Sequence, residues 1–252
     1  MSQAHVLTPS AWLYETSDNQ AHVSSQLLHG EDVDILSSQG AFHKIKAARD
    51  GYEGWVRSDA LTQGPAAPTH TVCVPSAPMY RLPDFKAEPV LTLPLNARVR
   101  VTGAQTEENP AFLPTDSGFV PARHVCETPL NQPPHEIARA FLGTPYAWAG
   151  RTYHGIDCSG LIQMALWARG EDCPRDSGPQ WQTLGRTLDA GEAPDEGDLV
   201  FFPGHVGFYV GGGQLLHANA THMRTTIDPL EEVISWVARE SDTPLLGFKR
   251  LS

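Results

Sequence analysis

The segment that most constrains the fold is a short apolar run that begins at a cysteine. Residues 155–170 read GIDCSGLIQMALWARG, and nearly every residue from Leu161 to Ala168 is apolar. An apolar surface on all sides is typical of a buried helix, and Gly170 is typical of the position just past a helix end. The sequence therefore predicts a buried helix of about three turns that begins at Cys158.

A cysteine at that position is a candidate nucleophile. Unpaired backbone N–H groups and the helix dipole favour an anion at a helix N-terminus. We therefore expect the pKa of the Cys158 thiol to be lowered, which would make the thiol more reactive. The alternative is that Cys158 is a small buried core residue, as free cysteines commonly are.

Two histidines downstream supply a base and a group that could orient it. A tight turn pairs Val210 with Gln214, and the same register sets His205 opposite Asn219. His217 is then the diagonal neighbour of His205 on the same face of the sheet, because strand side chains alternate with period two. One imidazole can act as general base while the other fixes its tautomer. The predicted strands are residues 199–202, 205–210 and 214–220.

These motifs resemble those of the NlpC-type cell-wall cysteine peptidases, which have a reduced papain-like fold. The resemblance covers residues 135–252 and implies an α+β papain-like catalytic domain there. The matching segments, in the family's order, are TPYAWAG (144–150), GIDCSG (155–160), CPRDSGPQ (173–180), GDLVFF (197–202), HVGFYVG (205–211) and LLHA (215–218).

The resemblance implies roles for individual residues. Cys158 would be the nucleophile, His205 the base and His217 the orienting residue. Tyr146 matches a tyrosine whose hydroxyl lies near the reaction centre. Ala149 departs from the pattern, since the family usually has glycine there.

The resemblance also implies a substrate class. Family members with these motifs cleave the γ-D-glutamyl bond to a diamino acid, meso-diaminopimelate or L-lysine, in murein peptides, and often require a free N-terminal L-alanine. Asp157 is expected to pair with that ammonium group, and Ser159 and Ser177 match peptide-binding positions. The alternative is that Asp157 is a carboxylate at a helix N-terminus that only favours the helix dipole.

The N-terminal half contains an internal repeat of 66 residues, seen for example in Tyr14 and Tyr80. Each copy has short alternating runs bounded by turn residues, which predict short strands. The copies resemble bacterial SH3 domains, so we expect two small all-β SH3-like barrels ahead of the catalytic domain. The predicted domains are residues 1–62, residues 72–127 in a divergent copy, and residues 135–252.

The role of the barrels is open at this stage. They could be spacers or wall-binding modules, or the first barrel could help to form the substrate pocket. The resemblance to recycling peptidases implicates Tyr52 in substrate binding. The alternative is that Tyr52 packs on its own barrel beside Trp55.

Secondary structure in the catalytic part can be outlined further. Ser177 is expected to cap a helix, and Asp228-Pro229 is expected to begin another, because such residues favour helix starts. An antiparallel sheet is expected to be closed by the last strand. The remaining predicted elements are helices over residues 134–142 and 177–184 and a strand within residues 245–251.

Composition narrows the possible partners and location. The 252 residues carry a formal charge of −11 and no Lys/Arg-rich run, which argues against nucleic acid as a partner. No apolar stretch is long enough to span a membrane. The N-terminal residues lack the basic and apolar regions of a secretion signal, and the four cysteines are far apart in sequence. We therefore expect a cytoplasmic recycling enzyme with reduced thiols and no cofactor.

Three alternatives remain at this point. Cys158, Cys173, His205 and His217 could form a zinc site, although fourteen residues between the cysteines is not a usual zinc spacing. The same scaffold could carry an amidase or acyltransferase. A non-catalytic wall-binding protein is the third alternative, and the intact cysteine and histidines argue against it.

Overall fold

The internal repeat folds into two successive groups of short antiparallel strands in the computed structural model, which describes residues 2–251. Both groups lie in the first of two compact units, Met1–Leu130 and Asn131–Ser252. The first group contains β1 (Ser2–Val6), β2 (Ser10–Tyr14), β3 (Val23–Leu28), β4 (Asp32–Gln39), β5 (Phe42–Ala47), β6 (Glu53–Arg57) and β7 (Leu61–Gln63). The second contains β8 (His70–Val72), β9 (Ser76–Tyr80), β10 (Pro89–Pro94), β11 (Arg98–Val99), β12 (Phe112–Thr115), β13 (Gly118–Pro121) and β14 (Val125–Cys126).

The two groups are structural copies of each other. Strands β2 and β9 begin at Ser10 and Ser76, 66 residues apart, and β3 and β10 keep the same offset. Each copy has an edge-to-face ring pair with centroids 5.7 Å apart, Tyr14 with Phe42 and Tyr80 with Phe112. Each also has its own hydrophobic core. The prediction of two SH3-like barrels is confirmed.

The two barrels touch each other within the first unit. The N–H of Arg98 in the second barrel donates to the carbonyl of His29 in the first, at 2.9 Å. Gly30 has a φ of +73°, and a Cβ there would collide with the carbonyl of Arg98. Glycine is therefore required where the two backbones approach. The repeat thus forms a pair of barrels in contact.

The second unit combines helices with an antiparallel sheet. The elements of this unit are α1 (Pro134–Arg139), β15 (Arg151–Thr152), β16 (Gly155–Ile156), α2 (Cys158–Ala168), α3 (Ser177–Thr183), β17 (Arg186–Thr187), β18 (Leu199–Phe202), β19 (His205–Tyr209), β20 (Gln214–Asn219), β21 (Arg224–Pro229), α4 (Leu230–Val237) and β22 (Gly247–Arg250). The sheet has the strand order β17-β22-β18-β19-β20-β21.

The buried helix and the hairpin follow the sequence prediction closely. Every residue of α2 is buried, and the helix packs against β19 and β20. Strand β18 has the predicted bounds, and β22 closes the sheet beside it. Helix α1 is shorter than predicted, because the chain after Arg139 continues in tighter turns such as Phe141 N–H to Ala138 O. This is the α+β architecture expected for the catalytic domain.

The start of α4 differs from the prediction. Asp228 and Pro229 end strand β21, and α4 begins at Leu230 without a side-chain cap. Strand β21 pairs along the whole of β20, with His217 opposite Thr226. The side chain of Asp228 is therefore held on a strand beside His217.

Candidate active site

Cys158 lies where the sequence predicts, as the first residue of α2. Asp157 is the N-cap, and its Oδ1 accepts a hydrogen bond of 2.7 Å from the N–H of Gly160. The thiol side chain is buried, and the N–H groups of Ser159 and Val206 face its sulfur. Because Val206 follows His205 in β19, the sulfur lies beside the start of the strand that carries the predicted base.

The predicted lowering of the thiol pKa is wrong. Burial raises the pKa of Cys158 to about 12, and the carboxylate of Asp157 raises it further. The N–H groups of Val206 and Ser159 and the charge of Arg175 act in the opposite direction but do not outweigh burial. The thiol is thus protonated at neutral pH, so its proton must leave as the sulfur attacks.

The two histidines form the predicted diagonal pair. His205 Nε2 lies 2.7 Å from His217 Nδ1. The strand register agrees with the prediction, since the N–H of Val210 donates to the carbonyl of Gln214. Gly207 lies across from His217, and a Cβ there would come within 2.9 Å of the His217 Cβ. Glycine at this position leaves room for the His217 ring to reach His205.

Asp228 continues this chain of hydrogen bonds on the next strand. Its Oδ2 lies 3.0 Å from His217 Nε2 and accepts a bond of 2.6 Å from the hydroxyl of Thr226. Asp228 is not among the predicted site residues, because Asp228-Pro229 is typical of a helix start. The period-two spacing of Thr226 and Asp228 is the signal that could have placed both on one face of a strand.

The pKa shifts along this hydrogen-bonded series favour neutral rings of His205 and His217 and an ionised carboxylate of Asp228. Burial and the neighbouring His217 lower the pKa of His205 to about 3. Burial also lowers the pKa of His217, against the opposing effect of Asp228. Burial alone would raise the pKa of Asp228, but the hydrogen bonds from Thr226 and His217 outweigh it and lower that pKa. At rest, the site therefore pairs a neutral thiol with a neutral imidazole.

Asp157 has several hydrogen-bond partners within the protein. Arg175 donates to both of its oxygens, at 3.0 and 2.6 Å, and the N–H of Ala149 adds a bond of 2.8 Å. Both Asp157 and Arg175 are almost fully buried. The N–H of Gly160 also binds this carboxylate, so both oxygens already accept hydrogen bonds within the protein. The predicted role of Asp157 as the partner of a substrate ammonium stays a prediction.

The other predicted binding residues have distinct environments. The Ser159 hydroxyl accepts a bond of 2.9 Å from Arg175, so it belongs to the same buried cluster. Ser177 is the first residue of α3, whereas the N-cap is Asp176, so the predicted cap is one residue too late. The peptide-binding roles predicted for both serines stay predictions.

Tyr146 and Tyr52 are the two tyrosines among the predicted site residues. Burial raises the pKa of Tyr146, and the nearby charges of Cys158 and Asp157 add to the rise, which puts its hydroxyl within electrostatic range of the thiol. The hydroxyl of Tyr52 donates to the carbonyl of Ser24 at 3.1 Å within the first barrel. The predicted role of Tyr52 in substrate binding stays a prediction.

Arg175 is a second site residue that local sequence patterns do not predict. It lies within the segment CPRDSGPQ, but no local pattern indicates that it reaches Asp157, eighteen residues earlier. Arg175 is buried in the structure, and a buried arginine requires a partner of opposite charge, because an unpaired buried charge is very costly. Only the fold identifies that partner.

The zinc alternative is not supported by the arrangement. Cys173 is buried and contacts Gln180 Nε2 at 3.4 Å. Within residues 2–251, the one group whose possible metal ligands lie within 4.8 Å of one another is His135, Glu136 and Glu196. Arg139 already pairs with both of those glutamates.

Across residues 2–251, no helix is long and apolar enough to cross a membrane.

Comparison with known proteins agrees with this arrangement. The profile of the NlpC/P60 family matches residues 143–237, and that of the bacterial dipeptidyl-peptidase SH3 domain matches residues 13–61. The second barrel lies outside both matches. The matched ranges thus contain α2, the strands with the histidines, and the first barrel.

Similar proteins cover both parts of the chain. A γ-D-glutamyl-L-lysine dipeptidyl-peptidase of Bacillus subtilis is 30% identical, over 84% of this chain and 77% of its own length. One of Bacillus cereus is 27% identical, over 91% and 76%. A crystal structure of an NlpC/P60 family protein from Bacillus cereus shares the fold, with a TM-score of 0.81 at 22% identity over 99% of both chains. The chain belongs to the NlpC/P60 family of cysteine peptidases.

Proposed function

We propose that this peptidase hydrolyses the bond between γ-D-glutamate and an L-diamino acid in bacterial cell-wall peptides. The observation that carries the proposal is the hydrogen-bonded pair His205–His217 beside the buried thiol of Cys158. Support also comes from relatives named γ-D-glutamyl-L-lysine dipeptidyl-peptidases, which match both the barrels and the catalytic part. Their names favour L-lysine, and meso-diaminopimelate is the other diamino acid to test.

The proposed mechanism uses the neutral thiol and imidazole described above. The Cys158 sulfur attacks the γ-amide carbonyl as its proton moves to His205 Nδ1, since Nε2 is bonded to His217. The resulting imidazolium protonates the leaving amine of the diamino acid. Water then hydrolyses the thioester. The N–H of Cys158 at the start of α2 and the hydroxyl of Tyr146 are the proposed stabilisers of the oxyanion.

We further propose that the preferred substrates are soluble peptides with a free N-terminal L-alanine. Asp157, beside the nucleophile, is the proposed partner of that ammonium group, and its ion pair with Arg175 would then be shared with the substrate. Action on soluble peptides would fit a cytoplasmic role in recycling murein peptides. Cell fractionation tests that location directly.

The decisive assay uses the purified chain with L-Ala-γ-D-Glu-L-Lys and its meso-diaminopimelate counterpart, read by mass spectrometry. We expect release of L-Ala-D-Glu and the free diamino acid. Acetylated tripeptides and intact sacculi should be cleaved more slowly. Cys158→Ala is the control for contaminating peptidases. Equal rates on acetylated and free tripeptides would refute the amine preference, and an unchanged tripeptide would refute the proposed substrate.

A further inference from the structure

The chain of hydrogen bonds from His205 to Asp228 crosses three neighbouring strands. His205 lies on β19, His217 on β20 and Asp228 on β21, and each link joins diagonal positions on one face. The links measure 2.7 Å between the two rings and 3.0 Å from His217 Nε2 to Asp228 Oδ2. An aligned series of hydrogen bonds that is largely shielded from water can fix where each proton resides.

The carboxylate determines the positions of the protons. An ionised carboxylate can only accept hydrogen bonds, so we assign the proton to His217 Nε2, which donates to Asp228 Oδ2. Asn219 Nδ2 also faces His217 Nε2, but at the longer distance of 3.2 Å, and it donates to Thr226 Oγ1 at 2.7 Å. A neutral His217 then has a bare Nδ1, which accepts a bond from His205 Nε2–H. The neutral His205 is left with a bare Nδ1, the atom that must receive the proton of Cys158. These proton positions are assigned from the hydrogen-bond network.

The surrounding groups hold the carboxylate in this orientation. The Thr226 hydroxyl donates to Asp228 Oδ2 at 2.6 Å and accepts a bond of 2.7 Å from Asn219 Nδ2. His222 Nε2 faces the other oxygen, Oδ1, at 3.5 Å. Because Thr226 supplies a donor to Oδ2, that oxygen is fixed as the acceptor for His217.

We propose that Asp228 is a positioning residue for catalysis, which acts through His217 to keep His205 Nδ1 bare and to stabilise the imidazolium formed during attack. The negative charge of Asp228 stabilises the positive charge that develops on the His205–His217 pair when Cys158 gives up its proton. The proposal rests on the cysteine peptidase chemistry of the site and is independent of which peptide is cleaved.

The test compares Asp228→Asn with Asp228→Glu and with Glu231→Gln as matched control. Asparagine can keep an acceptor near His217 but loses the charge. Glu231 is an exposed carboxylate in the first turn of α4, three residues away. We expect Asp228→Asn to lower kcat by between about tenfold and a hundredfold with little change in KM. Asp228→Glu should restore part of kcat, and Glu231→Gln should match the wild type.

Two readouts separate this role from a structural one. Imidazole ¹⁵N shifts distinguish protonated from bare ring nitrogens, and we expect a bare His205 Nδ1 in the wild type and a partly protonated one in Asp228→Asn. Alkylation of Cys158 by iodoacetamide at pH 8, followed by peptide mapping, should slow in parallel with kcat. Because alkylation needs no peptide, this result stands even if the proposed tripeptide is not a substrate.

The outcomes decide the proposal. A lower kcat together with changed His205 ring shifts and slower alkylation supports it. Unchanged kcat and alkylation in Asp228→Asn would overturn it, as would a lower kcat with wild-type ring shifts. If Asp228→Asn melts at a much lower temperature, Thr226→Val serves instead, since it keeps the carboxylate but removes the donor that orients Oδ2, together with the acceptor for Asn219 Nδ2. Wild-type ring shifts and alkylation in that variant would also overturn the proposal.

Discussion

Two carboxylates belong to the hydrogen-bond networks around Cys158, the buried Asp157 and the half-buried Asp228, and their partners differ. Asp157 caps α2 and forms a bidentate ion pair with the buried guanidinium of Arg175. Asp228 lies on β21 and is bonded to Thr226 and to the neutral ring of His217. Arginine is permanently charged, whereas histidine gains its charge only on protonation.

The two aspartates can therefore have different functions in one site, because one faces a permanent cation and the other faces a neutral ring. The charge of Asp157 is compensated at all times, so the Asp157–Arg175 pair is suited to fixing the start of α2. The charge of Asp228 faces rings that are neutral at rest, so it can stabilise a proton that arrives during the reaction. The partner of each carboxylate, more than its distance from the thiol, assigns its role.

The largest expected effect concerns the thiol that both networks surround. Cys158→Ala should reduce hydrolysis by at least about 10³-fold, because no other group can form the thioester. The fold should be retained, since alanine fills most of the buried space of the cysteine. Tripeptide turnover and thermal melting measure the two effects. Wild-type turnover in this variant would end the cysteine peptidase assignment of the site.

Disrupting the ion pair between Asp157 and Arg175 should destabilise the protein. Arg175→Met leaves the buried Asp157 uncompensated and should lower the free energy of unfolding by about 3–5 kcal/mol. The control is Arg139→Met, because Arg139 forms ion pairs at the surface, where about 1 kcal/mol or less is expected. Urea unfolding measures both. Equal losses in the two variants would show that Asp157 and Arg175 are not the structural pair described here.

Disrupting the hydrogen bonds from His205 to Asp228 should lower activity less than removing the thiol does. His217→Asn should lower kcat by about tenfold to a hundredfold, because an amide can orient His205 but cannot share a proton or its charge. Its melting temperature should stay closer to the wild type than that of Arg175→Met. Steady-state kinetics on the tripeptide provide the measurement. A loss as large as that of Cys158→Ala would indicate that His217 does more than orient the base.

The smallest expected effect is on the shape of the pH profile. His205 must be neutral to accept a proton, and its pKa is lowered to about 3 from an ordinary value of 6.5. A lowered pKa keeps the ring neutral as the pH falls, so kcat/KM should stay level through pH 6.5 and decline only in more acidic solution. Rates between pH 4 and 8 test this. A half-loss of kcat/KM near pH 6.5 would show that His205 titrates as an exposed imidazole.

Local patterns predicted much of the fold and part of the site. The apolar run after Cys158 predicted α2, and the turn spacing predicted the register that joins His205 to His217. The 66-residue repeat predicted two similar barrels. Such features depend on neighbouring residues or on a constant offset, so they can be recognised along one chain.

The remaining features required contacts between distant segments. Strand β21 was not predicted, so the link from His217 to Asp228 was missed, and Arg175 was not connected with Asp157. Neither carboxylate shows its partner in its local sequence. A helix cap and a strand residue can both be aspartate, and only packing determines which one meets a cation.

The sequence by itself determined that a cysteine would begin a buried helix and that two histidines would meet beside it. The tertiary structure alone decided how those groups are charged. The helix terminus favours a thiolate, but burial and the charge of Asp157 raise the pKa of Cys158 to about 12. Solvent exclusion and charges brought in from distant segments outweigh the local dipole, because transferring a charge out of water costs more than a helix end returns.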